Sequence, residues 1–369
     1  MISRRQAVVR TTVVLVVTAG GLAALDKFLA KTESGEMQRA ASANYAMGTR
    51  LLAEGKATAA VEPLRQAWVL ARDNAGYELA LGNALAATGK TAEAEMRITA
   101  ALSREPNDGE ANLAAARLRV REKGAGEADS FYHRAIFGHW GADGAAQRVA
   151  ARLELIELLA RQNRRGEMLG ELISLEEEAG EDRAVRKKLA RYFLQAGSPA
   201  RAANVYRQLV EKDRLDGESY AGLGEAELES GRYREARSAF IRAAMHSPEM
   251  PIRAQLELVD MLTEVDPTPR QLTSAEKYRR SSRILEWVRG DLRQQADARP
   301  EKSSAEIEDL LQRADAALTG KTPAAVSNEA AEGLLSLAEQ LWRARVQAFG
   351  EAVPADQEAF RRILEKLAA

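Results

Sequence analysis

The sequence predicts an all-α protein in which short helical hairpins repeat along the chain. A 34-residue segment, Gly217–Met250, contains two consecutive patterns of apolar residues at helical spacing. Weaker copies of this segment occur five times upstream. Aromatic residues make up only 5% of the 369 residues, and no alternation typical of strands follows the N-terminal segment. These observations together favour a protein made of stacked helix pairs.

The 34-residue unit reads as two short helices joined by a tight turn. Gly231 separates the two helices, because glycine adopts the left-handed conformation that ends a helix at little cost. Pro248 ends the second helix, since proline cannot continue a helix interior. The apolar and small positions are Tyr220, Leu223, Gly224 and Leu228 in the first helix and Tyr233, Ala236, Phe240 and Ala243 in the second.

Five upstream segments keep the length of this unit and much of its order of apolar and small residues. They are Ala41–Asn74, Ala75–Asp108, Gly109–Ala142, Val149–Asp182 and Arg183–Asp216. Residues 41–142 therefore hold units 1 to 3 and residues 149–250 hold units 4 to 6, with an insertion at residues 143–148. One hairpin cannot bury its own apolar face, so we expect the units to stack on their neighbours.

The repeated unit resembles the tetratricopeptide repeat (TPR) family. The resemblance depends on three small positions, which are Gly82, Ala94 and Ala101 in one unit and Gly224, Ala236 and Ala243 in another. It covers about 210 residues. The resemblance implies a right-handed α-solenoid of six TPR hairpins, with an apolar helix before it and a helical cap after it. In this family the first helices of successive units line a concave groove that receives a segment of a partner protein.

Residues 1–30 are typical of a signal anchor or an export signal. Arg4, Arg5 and Arg10 precede an apolar, uncharged stretch at residues 11–25, and a polar tether follows at residues 31–40. We expect an uncleaved single-pass anchor in a bacterial inner membrane, with the repeats in the periplasm. Two alternatives remain: a cleaved export signal that leaves a soluble secreted or periplasmic protein, and an apolar helix that never enters a membrane.

Residues 251–369 predict further helices that have lost the 34-residue register. We interpret the helices after Thr273 as hairpins that cap the open end of the solenoid, or alternatively as an independent helical module. A capping box begins a helix at Thr273. The basic face of that helix is either a solvated surface or a contact for anionic lipid headgroups or an acidic partner. Its residues are Arg279, Arg280, Arg283 and Arg293.

Composition and motifs argue against catalysis, metals and nucleic acid. The formal net charge is −1, so no basic stripe for phosphate binding is expected. The absence of cysteine excludes disulfides and thiolate chemistry. The sequence Gly-Lys-Thr occurs at residues 89–91 and 320–322, but neither site has the earlier glycine of a phosphate-binding loop. We therefore predict no catalytic residue, no cofactor and no metal site.

The segment Phe137–Gly144 interrupts the repeat pattern with aromatic and glycine residues. It replaces the expected end of a helix and leads into the insertion at residues 143–148. Insertions in solenoids usually form loops on one face of the molecule. We expect either a plug between the two sets of three repeats or a loop that contacts a partner.

The predicted groove combines apolar and charged residues from the first helices. Tyr45, Thr49 and Glu110 stand at positions where some family members carry lysine, asparagine or arginine to bind a terminal carboxylate, so that clamp is not expected. A mixed groove suits docking of a peptide or a helix. The predicted groove residues are Tyr45, Thr49, Leu79, Asn83, Leu113, Arg117, Leu153, Glu157, Lys187, Arg191 and Glu225.

Two functions follow from the predicted groove and N-terminus. The first is a non-catalytic scaffold, tethered to the inner membrane through residues 11–25, that binds other proteins and supports assembly of an envelope complex. The second is an exported soluble adaptor or accessory subunit for an envelope enzyme system of the polysaccharide or cytochrome maturation type.

Overall fold

A computed structural model describes residue 27 and residues 32–122, 125–141, 144–319 and 327–368. The described part of the chain is α-helical, with two short 3-10 helices and no β-strand. The all-α prediction is therefore confirmed. The chain divides into two compact units, Met1–Gln162 and Asn163–Ala369, which are described separately below.

The first unit contains seven described helices. They are α1 (residues 32–53), α2 (Ala57–Leu70), α3 (Ala75–Ala87), α4 (Thr91–Arg104), α5 (Gly109–Arg121), α6 (Ala125–Ile136) and α7 (Gly144–Arg161). Helix α3 packs against α2 and α4, and α5 packs against α4 and α6. Consecutive helices therefore form a row of hairpins in which each pair contacts its neighbours in the sequence.

The second unit contains five repeat helices followed by five helices of 11 to 25 residues. The helices are α8 (Arg165–Glu178), α9 (Arg183–Gln195), α10 (Pro199–Lys212), α11 (Gly217–Glu229), α12 (Tyr233–His246), α13 (Arg253–Val265), α14 (Ser274–Ala298), α15 (Ala305–Thr319), α16 (Asn328–Phe349) and α17 (Glu358–Ala368). Pro300–Lys302 and Ala355–Gln357 are the 3-10 helices. The two helices predicted in Gly217–Met250 are confirmed as α11 and α12.

Helix starts follow the 34-residue period of the sequence. Asn74 and Asp108 cap α3 and α5, and Asp182 and Asp216 cap α9 and α11. In each case the side-chain oxygen accepts a hydrogen bond from a backbone N–H of the first turn, which otherwise has no partner in the helix. A short polar side chain at each period therefore fixes where each first helix begins.

The turn inside each hairpin also repeats, and in one hairpin asparagine replaces glycine. Gly197 and Gly231 have φ values of 74° and 70°, and Asn163, 34 residues before Gly197, has a φ of 56°. Asparagine tolerates this left-handed conformation better than most residues with a side chain. The sequence alone did not single out Asn163 because it lacks the glycine that marks this turn elsewhere.

Small residues let the two helices of a hairpin approach closely. A Cβ atom at Gly82 would lie 3.0 Å from Ile98 Cγ1, and one at Gly224 would lie 2.6 Å from Phe240 Cδ1. Ile98 and Phe240 are buried in the cores of their units. The packing role predicted for these glycines is therefore confirmed.

Two segments predicted to be irregular are helical. Residues 32–40, predicted as a tether, form the exposed first turns of α1. Residues 144–148 of the predicted insertion form the first turns of α7, which is 18 residues long where α3 and α5 have 13. The alanine, glutamine and arginine in this segment are good helix formers, so the extra residues extend a helix instead of making a loop.

Helix α17 covers the end of the last repeat in the second unit. It packs against α13, which in turn packs against α12. The Lys366 ammonium donates a hydrogen bond to Asp266 at 3.0 Å and lies 4.8 Å from the centre of the Tyr233 ring. Arg362 forms an ion pair with Glu229 of α11 at 2.8 Å. These contacts join α17 to α11, to the first residue of α12 and to the residue that follows α13.

The predicted anchor and its apolar stretch, residues 11–25, lie outside the described residues. Among the helices that the structure does describe, none is both long enough and apolar enough to span a bilayer.

Candidate functional site

The aromatic-glycine loop at residues 137–141 folds back onto the turn between α4 and α5. Gly109 N–H donates to the carbonyl of His139, and His139 N–H donates to the carbonyl of Asn107, both at 2.8 Å. The Trp140 indole N–H donates to the Ala135 carbonyl at 2.8 Å. A Cβ atom at Gly109 would overlap the Trp140 ring. Trp140 therefore packs within the third repeat, and the predicted plug between the two sets of three repeats stays a prediction.

Phe137 in the same loop points away from this packing. Its side chain is 77% exposed, and the Arg152 guanidinium lies 5.8 Å from the centre of its ring. The loop thus combines a packed aromatic residue, Trp140, with an exposed one, Phe137. The two alternatives predicted for this loop, a plug between the sets of repeats and a contact with a partner, both stay predictions.

The predicted groove residues of the first unit differ in accessibility. Leu79 and Leu113 are buried, with exposures of 4% and 3%, so both belong to the core and offer little free surface. Arg117 is exposed. The remaining predicted positions, which are Tyr45, Thr49, Asn83, Leu153 and Glu157, are half-buried.

Arg117 forms an ion pair with Glu154 on this surface. Its Nε and Nη2 atoms donate to Glu154 at 2.9 and 2.6 Å, which joins α5 to α7 through two parallel hydrogen bonds. The Tyr132 hydroxyl lies 3.4 Å from Glu154 Oε2. Burial and the Glu154 charge raise the pKa of Tyr132 to about 12. Arg117 is therefore already paired within the protein.

A pocket of about 250 Å³ lies between α9, α10 and the start of α11 in the second unit. Its lining includes two predicted groove residues, Lys187 and Arg191. It also includes residues that the groove prediction missed, which are Ala184, Lys188, Tyr206, Glu218 and Ser219. We call this site the basic pocket. Tyr206 was missed because it lies on a second helix, which the repeat pattern assigns to the core.

The three basic side chains of the basic pocket differ in their partners. Lys187 bonds to Asp216 at 3.1 Å and also pairs with Glu218. Arg191 and Lys188 are exposed and make no hydrogen bond or ion pair with any other described residue. The Arg191 guanidinium lies 5.8 Å from the centre of the Tyr192 ring. Two positive charges at this pocket are therefore available to an outside group.

Tyr206 and Glu225 extend the site along α10 and α11. A Cβ atom at Gly222 would overlap the Tyr206 ring, so glycine at that position allows the tyrosine to lie across α11. Burial and the Glu225 charge raise the pKa of Tyr206 to about 12, while Arg191 acts in the opposite direction. Glu225 is exposed, yet partial desolvation and then Glu229 raise its pKa.

The basic face predicted on α14 is occupied by internal ion pairs. One of these arginines, Arg280, donates hydrogen bonds to the backbone carbonyls of Thr263 and Asp266, at 2.7 and 2.8 Å. Arg280 and Arg283 therefore hold α14 to α13, and Arg293 holds it to α15, whereas Arg279 is paired only within α14. The pairs are Arg279 and Arg280 with Glu276, Arg283 with Glu264, and Arg293 with Asp315.

Within the described ranges, no three histidine, aspartate or glutamate side chains come together in a way that would hold a metal ion.

A tetratricopeptide repeat family model matches residues 187–249. No protein of curated function matches the sequence. Solved structures with similar folds include YrrB, described as a TPR protein with an unusual peptide-binding site. It is 16% identical over 53% of this chain and 98% of its own, with a TM-score of 0.42.

Two further solved structures are similar at the same level. PilW, described as a widely conserved type IV pilus biogenesis factor, is 15% identical over 59% of this chain and 97% of its own, with a TM-score of 0.42. A TPR protein from Parabacteroides merdae is 15% identical over 81% of this chain and 99% of its own, with a TM-score of 0.40. The family match at residues 187–249 falls on the hairpins α9–α10 and α11–α12, so this part of the chain is similar to tetratricopeptide repeats.

Proposed function

We propose that this protein is a non-catalytic scaffold that binds an acidic segment of a partner protein in the basic pocket of its second unit. The unpaired Arg191 and Lys188 beside a pocket of about 250 Å³ carry this proposal. A carboxylate placed there gains charge-assisted hydrogen bonds to a guanidinium that lacks an internal partner. All lining residues of the pocket except Ala184 lie within residues 187–249, which match the repeat family.

The polar groups of the basic pocket suit recognition better than turnover. Lys187 is held by two carboxylates, and Ser219 donates its hydroxyl to Asp216, so neither is arranged as an activated nucleophile. Tyr206, with its raised pKa, remains protonated at neutral pH and is able to donate a hydrogen bond. These side chains therefore support binding of a ligand without catalysis.

A pair of probe peptides tests the pocket on the full-length chain. One fluorescein-labelled peptide alternates three glutamates with glycines, and the other alternates three arginines with glycines. Arg191→Glu should weaken binding of the glutamate peptide at least tenfold, or about 1.4 kcal/mol. Arg214→Glu makes the same charge change at an exposed residue of the same unit outside the pocket, so we expect it to alter binding by less than about twofold. Equal losses in both variants would reject the pocket.

Site-specific crosslinking in the native cells identifies the partner protein. A photoreactive amino acid at position 188 faces solvent beside the pocket, and one at position 214 serves as the matched control. We expect a partner crosslinked from position 188 and not from position 214, joined through an acid-rich segment. A crosslinked segment rich in lysine and arginine would contradict the proposal.

We further propose that residues 1–30 anchor the protein in a bacterial inner membrane, with the repeats in the periplasm, where the scaffold supports assembly of an envelope complex. The support is the apolar stretch at residues 11–25 preceded by three arginines. Carbonate washing of membranes should leave the protein in the pellet. Release into the wash would favour the alternative, an exported soluble adaptor for an envelope enzyme system.

A further inference from the structure

The site around the basic pocket extends from one repeat to the next through equivalent positions. The residues of α9 that line the pocket follow a spacing of three, four and seven residues, so they share one face of the helix. They are Ala184, Lys187, Lys188 and Arg191. The positions 34 residues later form the same face of α11, and they are Glu218, Ala221, Gly222 and Glu225. Helices α9 and α11 contact each other and Glu218 also lines the pocket, so the two faces border one site.

Tyr206 lies against both of these faces. It lines the pocket together with Arg191, and a Cβ atom at Gly222 would lie 2.7 Å from the tyrosine hydroxyl oxygen. Glu225 follows Gly222 by three residues on α11, which is about 4.5 Å along the helix axis. Burial and the Glu225 charge raise the pKa of Tyr206, whereas Arg191 lowers it, in agreement with this placement. The Tyr206 hydroxyl therefore lies about one helical turn from Glu225, in the pocket that Arg191 also lines.

Arg191 and Glu225 stand at equivalent positions and carry opposite charges, yet they do not pair. Both side chains are exposed. Neither makes a hydrogen bond or an ion pair with any residue in the described ranges. Partial desolvation and then the charge of Glu229 raise the pKa of Glu225, so this carboxylate has lost some of its water without gaining a partner. A purely acidic ligand would pair with Arg191 but would be repelled by Glu225.

We infer that the partner segment in the basic pocket is bipolar, with an acidic side chain against Arg191 and a basic side chain against Glu225. This inference rests on the proposed function and adds the second charge of the ligand. Packed helices have axes about 8–10 Å apart, and an extended chain covers that distance in about three residues. The acid and the base should therefore stand about three positions apart. Glu225 selects this ligand because it repels a uniformly acidic one.

Three fluorescein-labelled peptides test the inference on the full-length chain by fluorescence anisotropy. All three contain the glutamates of the glutamate peptide, with one added residue three positions before the first glutamate and another three positions after the last. The control peptide has glutamine at both places, and each bipolar peptide has arginine at one of them. We expect one bipolar peptide to bind at least about threefold more tightly than the control peptide. General attraction to the basic pocket predicts the opposite, because arginine reduces the negative charge of the peptide.

Variants at Glu225 show whether this residue causes the gain. Glu225→Gln keeps the shape of the side chain and removes its charge, so it should abolish the difference between the bipolar and control peptides. Glu211→Gln is the matched control and should keep the difference, since Glu211 is exposed on α10 outside the pocket and has no partner among the described residues. Glu225→Lys should bind the control peptide more tightly than wild type does. Unfolding does not explain such a gain.

Three results would overturn the inference. They are no gain from arginine at either end, a gain that persists in Glu225→Gln, and an equal loss of the gain in Glu211→Gln. If the control peptide still depends on Arg191 in these cases, the basic pocket stands and only the bipolar ligand is rejected. Equal binding of the control peptide by wild type and Arg191→Glu would instead reject the proposed function, and the inference with it.

Discussion

Asp216 connects the fold of the second unit to its basic pocket, and replacing it with asparagine tests that connection. Its carboxylate caps α11 and accepts hydrogen bonds from Ser219. It also pairs with Arg183 at 2.7 Å and with Lys187 at 3.1 Å. Asparagine caps a helix about as well as aspartate does, so Asp216→Asn removes mainly the charge.

The expected cost follows from the pKa of Asp216. Burial raises this pKa, but hydrogen bonds from Ser219, Arg183 and Lys187 outweigh burial and lower it from 3.8 to about 2. A shift of that size corresponds to about 2 kcal/mol of folding free energy. Because the folded-state pKa lies below the unfolded-state value, the stabilisation is complete above about pH 4 to 5 and is lost as the pH falls towards 2.

Urea denaturation at several pH values measures this contribution. At pH 7, Asp216→Asn should lower the free energy of unfolding by about 2 kcal/mol, and the difference from wild type should shrink steadily below pH 4. Asp182→Asn is the matched control, because Asp182 caps α9 at the same place in the preceding repeat and forms hydrogen bonds only to backbone N–H groups. It should cost less than about 0.5 kcal/mol.

A difference between wild type and Asp216→Asn that stays constant from pH 7 to pH 3 would refute the electrostatic argument. The loss would then come from capping geometry instead of charge. Binding supplies a second check. Removing the Asp216 charge frees Lys187 of one partner, so the glutamate peptide should bind Asp216→Asn at least as tightly as wild type.

Two further predictions concern buried contacts in each unit. Arg345→Met should cost about 3–5 kcal/mol by urea denaturation, because Asp291 then stays buried without its 2.8 Å partner. Arg343→Met, exposed on the same helix, should cost less than about 0.5 kcal/mol; comparable losses would contradict the role of the buried pair. Trp140→Ala should destabilise the first unit by at least about 2 kcal/mol in thermal denaturation, whereas Phe137→Ala should leave it nearly unchanged. Equal effects at these two aromatic residues would argue against the packing of Trp140 within the third repeat.

The repeat helices could be predicted because their boundaries depend on short-range chemistry. Gly231 and the proline at 248 bracket α12 in the sequence as they do in the structure. Asn163 shows where this approach stops, because the turn needs a left-handed conformation and not glycine itself. Residues 144–148 show a different limit, because the loop prediction followed the usual placement of insertions in solenoids, whereas the helix-forming residues of this segment extend α7.

The residues of the candidate site could be predicted only in part, because the position of a residue on the first helix of a repeat does not determine how exposed its side chain is. Leu79 and Leu113 occupy groove positions by register, yet they pack into the core. Arg117 was expected to face a ligand, but Glu154, 37 residues later, pairs with it. Such pairings depend on the distance between side chains on different helices, which the spacing of one helix does not reveal.

The charge of the ligand expected at the basic pocket depends on which side chains are unpaired, more than on the number of charged residues. The sequence predicts Lys187 and Arg191 equally as basic residues of the groove. In the structure, Asp216 and Glu218 pair with Lys187, whereas Arg191 has no such partner among the described residues. A paired charge has already exchanged bound water for a protein partner, so it gains little from a ligand. An unpaired charge beside a pocket has lost some of its water without gaining a partner. The net charge of −1 for the whole chain therefore says little about its ligands, because the few free groups determine which segment binds.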